Sequence, residues 1–497
     1  MAKKSTLQSY KNMLLLCCIL IASVATAQIG IGTTSPDPSS ILDITSTTQG
    51  LLAPRMTTTQ RNAIAAPTDG LLVYDTTLKL FYYYSTGTAT WNPLNSTSSG
   101  RLNFKRIKST DVLATVLASE KAAGGGSKYL MNTNTLYEIN GQVNFDLPID
   151  INNAYITGQD ANEDIISSTA PVIFQGATGG SIRFLTLKGI KAFEINGPGI
   201  ATSSSFLIQN VIVDGMTGSV GNIGGLGLVF GNIVQFINNA NGIRYYNIGN
   251  LLLNSQAWLS SNNGVFETFT DSFGLIQKNS GFSTTSTGDT ALDVSSSTLA
   301  VGTGILLGTV FSGTAGTYVL GYAPAATYPG YNFSTAWTVD SPGIPREGDS
   351  DATGDINLVA AIGTGATTTF TTNQAKVKIA GTTTSNNLFR FTKDGNNRIV
   401  YKGNKPRYFQ VAASVSYQGT ASDMTLVLYL AKNGTVLTDT KVYGRPASGF
   451  FTSASGILAL PIMGTIQLKK DDYIEIFGER YDGTGNISVV SLNLTAR

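Results

Sequence analysis

A chain of 497 residues is long enough for two to four folded units and a large buried core. Its 54 glycines, its 13% charged residues and its abundant Thr, Ser and Asn describe an all-β protein with many tight turns, and no sustained heptad pattern supports a coiled coil. With 33 Lys+Arg against 31 Asp+Glu the formal charge is only +2, which argues against electrostatic binding to nucleic acid.

Lys3, Lys4 and Lys11 flank an apolar run over residues 13–24, and Ala25, Thr26 and Ala27 match the small-x-small rule for signal cleavage. The run is shorter than the roughly 20 residues that cross a bilayer. Leu16 stands before Cys17 where a lipoprotein signal has a small residue. Residues 1–27 therefore read as a signal peptide cleaved near Ala27, with a product that is secreted or held at the cell surface and has no direct membrane insertion. Such a signal favours a cellular over a phage origin. Cys17 and Cys18 leave with it, and losing the three lysines turns the charge from +2 to −1.

Residues 28–94 carry a dense set of short motifs: Ile29-Gly30-Ile31-Gly32, Ile41-Leu42-Asp43-Ile44, Leu51-Leu52-Ala53-Pro54-Arg55-Met56, Thr59-Gln60-Arg61, Leu71-Leu72-Val73-Tyr74-Asp75, then Phe81 to Tyr84 and Trp91. Gly30, Gly32 and Gly50 permit tight turns, residues 71–74 are expected as a buried strand, and residues 57–65 as a short helix capped by Thr57. The block resembles the amino-terminal head segment that Bacteroidetes secreted surface proteins share with phage tail-fibre-like proteins. The resemblance implies a fibre-like attachment context, not an activity.

Residues 95–127 read as a Ser/Thr-rich linker followed by one helix over residues 111–123, placed to cap a solenoid. Between residues 128 and 321 short apolar strands alternate with Asn/Gly turns. Ile139-Asn140-Gly141, Ile151-Asn152-Asn153, Ile195-Asn196-Gly197 and Ile237-Asn238-Asn239 recur, the last three 44 and 42 residues apart. Those spacings suit two coils of roughly 20 to 25 residues each, and Asn and Gly suit corners because both tolerate left-handed backbone. The expected fold is a right-handed parallel β-helix.

Residues 322–366 read as an extended connector in which Tyr322, Tyr328, Tyr331 and Trp337 mix with prolines. The acidic run over residues 347–355 reads as a solvated turn that lacks EF-hand spacing. From residue 367 to 497 the alternation of Leu426, Leu428 and Leu430 with Thr425, Val427 and Tyr429, and the Asn433-Gly434 hairpin signal, predict an antiparallel β-sandwich. Its strand order, carried by residues 424–436, Gly464 to Leu468, Asp472 to Ile476 and residues 489–494, resembles the trimeric jelly-roll heads of the complement-C1q and tumour-necrosis-factor type. That resemblance implies a homotrimer.

No histidine occurs anywhere, so His-based triads and His-ligated metals are excluded, and no metal site or cofactor is expected. Carboxylate chemistry remains, with Asp160, Glu163 and Asp164 as one group and Glu267 with Asp271 as another. The expectation for both is structural: Asp160 to Asp164 decorate a solvated loop between coils, and a spacing of four along a strand-rich segment does not bring Glu267 and Asp271 together. Tyr328, Tyr331 and Trp337 offer aromatic faces for a receptor. Arg445, Phe450 and Phe451 offer a cationic and aromatic surface on a sandwich loop.

These observations lead to a secreted, homotrimeric fibre or adhesin that binds a surface glycan or protein receptor rather than turning over a substrate. A tailspike-like polysaccharide depolymerase and a self-assembling filament or sheath subunit are the alternatives. Because the mature chain holds no thiol and no metal-loop spacing, its melting temperature should not change with reductant or chelator. A chelator-induced drop, read by thermal melting, would direct attention to Asp349, Asp351 and Asp355.

Overall fold

The computed structural model describes residues 9–14, 28–94, 103–445 and 456–497. The signal-cleavage site, both cysteines, Phe450 and Phe451 lie outside the described residues. The chain separates into two units, Met1–Gly100 and Arg101–Arg497.

In the first unit Ile29–Ile31 pairs in parallel with Leu42–Ile44, and Arg55–Met56, Leu72–Asp75, Leu80–Ser85 and Thr90–Pro93 form a 4-stranded sheet. The helix Thr58–Asn62 has Thr57 as its N-cap, locked by a reciprocal bond to Gln60. The buried strand expected over residues 71–74 is buried on one face alone. It begins at Leu72 and turns Val73 and Asp75 inward, leaving Leu71 and Leu72 exposed.

The second unit opens with a parallel β-helix that runs from Asn103–Lys108 to Trp337–Asp340 in a 19-stranded sheet. Successive coils pair in register: Val229 opposite Leu251, Leu251 opposite Ile276, and Glu267 opposite Leu292. The solenoid is longer than the sequence reading at both ends. Ile107 pairs with Ile139 on one side, and Gly304 pairs with Trp337 on the other. The helix expected over residues 111–123 is two short helices, Leu113–Val116 and Ala118–Ala123, broken at Leu117. Leu117 is fully buried in the solenoid core, and Lys105 and Tyr137 both donate to the Glu120 carboxylate.

The corners form a column. Phe184, Asn210, Ile233, Ser255, Ser280 and Gly308 stand opposite one another on six consecutive coils, all with φ between 50° and 65°. Inside the coil, Phe174 stacks on Phe193 and Trp258 on Phe266. Asn ladders and one ion pair satisfy most of the polar groups that enter this core, while the Trp258 indole N–H, one Glu267 oxygen and the Ser283 and Thr285 hydroxyls have no hydrogen-bond partner among the described residues. Asn239 Nδ2 donates to the Val213 carbonyl and to Asn262 Oδ1, and Asn262 Nδ2 donates to the Phe236 carbonyl. Lys278 Nζ donates to Glu267 Oε1 at 2.9 Å, with both side chains within 2% of full burial.

The antiparallel jelly-roll sandwich follows. One sheet runs Gly354–Val359, Ile487–Ala496, Arg407–Gly419, Ile457–Leu468; the other runs Phe391–Lys393, Arg398–Tyr401, Tyr473–Asp482, Thr425–Lys432, Thr435–Val436. Their inner faces meet in one apolar core. Asn433 and Gly434 both take positive φ, as the two-residue hairpin requires. Gly354–Val359 pairs with the terminal strand, Ile356 opposite Leu494, so the sandwich starts before residue 367. The expected connector thus dissolves into a last solenoid coil and a first sandwich strand, joined by a short loop.

Burial raises the Glu267 carboxyl above its ordinary range, and the attraction of Lys278 opposes this without overcoming it. A raised folded-state pKa means the folded chain holds this proton more tightly, so the contribution of Glu267 to stability is fullest at acid pH and is lost as pH rises through the raised value. Lys278→Met should cost about 3–5 kcal/mol at neutral pH by leaving a buried unpaired carboxylate. Melting measured across the acid-to-neutral range should show that loss shrink on acidification, and Glu267→Leu in the same chain should restore much of it.

Candidate recognition site

The carboxylates singled out from sequence do not assemble a reacting pair. Asp164 is buried, and its carboxylate accepts backbone N–H bonds from Gly141, Gln159 and Asp160. It closes the loop that carries Asp160 and Glu163. Asp160 accepts from Asn162, and Glu163 faces solvent. The expectation that all three decorate a solvated loop is therefore wrong for Asp164, whose three backbone donors outbid water. Glu267 lies inside the coil with Lys278, whereas Asp271 sits outside, 3.1 Å from Arg244. A polar stripe beside it places Glu194, Asn222 and Arg244 on successive coils, with Glu194 already bonded to Lys191 and Asn222.

The acidic run over residues 347–355 is not a solvated turn either. Glu347 is fully buried, and its two oxygens accept the N–H groups of Asn332 and Phe333. Asp349 accepts from the Asn404 and Lys405 backbone, Asp351 lies 3.7 Å from Arg346, and Asp355 accepts from Asn386 and Asn387. Glu347, Asp349 and Asp355 thus each anchor a different loop, while Asp351 pairs within its own segment. Among the described residues no group of three or more His, Cys, Asp or Glu is arranged to hold a metal ion.

The aromatic trio separates. Trp337 lies in the last solenoid strand at 2% exposure, packed on Phe333, with its indole N–H donating to the Tyr322 hydroxyl. Trp337 is a core residue, which corrects its assignment to a receptor surface. Tyr328 and Tyr331 instead flank Phe389, Tyr331 stacked at 4.0 Å between centroids and Tyr328 edge-on at 5.4 Å. They line a cleft of about 700 Å³ whose other wall is residues 385–393 of the sandwich. That wall is fixed from behind. Thr353 and Phe389 exchange backbone hydrogen bonds, Asp355 holds the turn, and Arg390 donates to the Trp337 carbonyl.

Sequence reading missed Phe389, Asn386, Asn387 and Lys393, which complete the cleft. Burial pushes the Tyr328 and Tyr331 phenols above their ordinary range, so both stay neutral donors at physiological pH. On the second sandwich sheet, Arg445 is exposed beside the end of Val442–Gly444, while Tyr443 and Tyr481 meet edge-on at 5.8 Å.

The family model described as a phage tail like trimerisation region matches residues 30–110. No curated protein matches. Crystal structures of murine APRIL at pH 8.0 and pH 8.5 match at 10% identity, with 29% of this chain and 98% of theirs covered and a TM-score of 0.20. The structure of Eiger TNF from S. frugiperda matches at 10% identity over 29% of this chain and 92% of its own, again with a TM-score of 0.20. At that score the likeness carries no argument, and the jelly-roll assignment rests on the strand pairing given above. Residues 30–110 are thus similar to a trimerisation region of phage-tail type, and the chain is phage-tail-fibre-like in its organisation.

Proposed function

We propose that the protein is a secreted, homotrimeric fibre or adhesin: an amino-terminal attachment segment, a β-helical shaft and a jelly-roll head that binds a surface receptor. The observation that carries this reading is the outward face of one head sheet. Three of its strands, Arg407–Gly419, Ile457–Leu468 and Ile487–Ala496, contain a single charged residue, Arg407, which is bonded to the Asp349 carbonyl, and the edge strand Gly354–Val359 adds only Asp355, whose carboxylate is held by the Asn386 and Asn387 N–H groups. Tyr408, Ile457 and Met463 stand exposed on that face among Ala, Ser, Thr and Gln. The single strand Tyr473–Asp482 of the other sheet carries Glu475, Glu479, Arg480 and Asp482. A face whose three long strands carry no free charge can be covered by another subunit without the desolvation cost of several kcal/mol that each buried ion imposes.

The amino-terminal unit supports the same reading. Ile41, Leu51 and Leu52 are each more than 60% exposed within the segment similar to a trimerisation region. Apolar side chains left open at that density mark an interaction surface. Closed threefold packing would cover them and leave no free face for open-ended growth, which separates a fibre from a filament subunit.

Light scattering of the chain lacking residues 1–27 should return three times the chain mass, and the paired change Ala412→Glu with Met463→Glu should weaken or dissolve the head contact. Binding to cells should fall with it, by at least about 100-fold where three heads act together. A monomer mass for the unaltered chain at micromolar concentration would remove the fibre reading.

A further inference from the structure

Resting on the adhesin reading, we propose that the cleft between residues 327–331 and 385–393 binds a saccharide bearing a carboxylate. A pyranose ring would lie against the Tyr331 and Tyr328 faces, its hydroxyls would meet the Asn386 and Asn387 amides, and its carboxylate would meet the Lys393 ammonium.

The lining selects this chemistry. A sugar ring has an apolar C–H face and a rim of donors and acceptors, and the cleft offers the complement of both. Tyr328, Tyr331 and Pro329 supply apolar surface, already held in place by the buried ring of Phe389. Ser385, Asn386, Asn387, Thr392 and Lys393 have no side-chain hydrogen bond to other described residues, and neither do the two phenol groups. The backbone beneath these side chains is the opposite case. The Asn386 and Asn387 N–H groups are fixed to Asp355 at 3.1 and 2.7 Å, and Asn357 pairs with Thr384. Free amides on a fixed turn can meet a ligand without first ordering the loop.

Charge narrows the class. Lys393 is the single charged side chain lining the cleft, and it takes part in no ion pair among the described residues. Asp355 is spent on backbone donors, and Glu347 is buried away from solvent. An uncompensated ammonium beside an aromatic wall favours a uronic- or sialic-acid unit over a neutral hexose. The cleft is complete within one chain, so the affinity of one site does not depend on trimerisation, whereas avidity does. A volume of about 700 Å³ suits a ligand of oligosaccharide size.

The test uses the full chain without residues 1–27, an array of neutral and of uronic- or sialic-acid-containing glycans, and monovalent titration of each glycan retained. Acidic glycans should be retained over neutral ones, and their binding should weaken as salt rises. Lys393→Glu and Asn387→Ala should each lower the monovalent affinity at least tenfold with unchanged melting, because neither side chain has an intramolecular partner. Tyr331→Leu should lower it for acidic and neutral sugars alike. The Ala412→Glu, Met463→Glu chain should keep the monovalent affinity while losing avidity. Retention that is indifferent to Lys393→Glu and Asn387→Ala would overturn the cleft assignment and leave the adhesin reading standing. Retention of no glycan would also overturn it, and cell binding measured in parallel would then show whether the adhesin reading falls too.

Discussion

A parallel solenoid survives only if every coil turns at the same place, because each strand has no hydrogen-bond partners except the coils above and below. In this chain that requirement is met by the column of left-handed residues from Phe184 to Gly308. A left-handed L-residue costs roughly 1–2 kcal/mol, and Ile233 and Phe184 are poor candidates for that conformation. The residues that follow Phe184, Asn210 and Ile233 point straight into the core: Leu185, Val211 and Val234 are all but fully buried. Burying such a side chain contributes about 1.5–3 kcal/mol, so the inward residue outweighs the strain of the corner that aims it. Position in the stack, not the local preference of the corner residue, decides the conformation.

The same stacking explains how polar groups live inside the coil. Asn239 and Asn262 occupy equivalent positions on neighbouring coils, where each amide can bond to a backbone carbonyl and to the next amide. A single buried Asn would leave donors unmet at a cost of about 1–3 kcal/mol, whereas a ladder satisfies them in both directions. Glu267 and Lys278 are a different solution, a local pair eleven positions apart that folds back across the coil. One carboxylate oxygen of Glu267 has no hydrogen-bond partner, and this leaves the pair sensitive to loss of the cation.

Class and order were legible in the sequence, while registers and boundaries were not. Asn152, Asn153 and Asn238 announced their corners because they take positive φ and are residue types that tolerate it. The Asn433-Gly434 hairpin and the Thr57 cap were readable for the same reason, since their chemistry is local. Ile233, Ser255 and Phe184 carry no turn signature, so the coil register they define was invisible. Asp164 and Glu347 looked like surface acids because sequence does not show which backbone N–H groups arrive from elsewhere. Gly354–Val359 reads as connector in the sequence because its partner, the terminal strand Ile487–Ala496, lies more than a hundred residues away.

The contrast between Trp337 and Tyr331 shows what decides a site at this junction. Both are large aromatics in one Pro-rich stretch, and the more apolar ring would be the natural choice for a binding face. Trp337 falls in register with Gly304, whose lack of a side chain leaves the space that the indole fills; a Cβ there would come within 2.2 Å of the ring. The tryptophan is thereby claimed by the last coil. Its carbonyl then receives the Arg390 guanidinium, which lies at the start of a sandwich strand and holds left-handed backbone at φ 58°. Arg390 fastened there sets Phe389 beside the loop of residues 328–331, and both tyrosines pack on that ring. The cleft follows from the way the solenoid ends, since the residue that closes the last coil also positions the wall facing Tyr331.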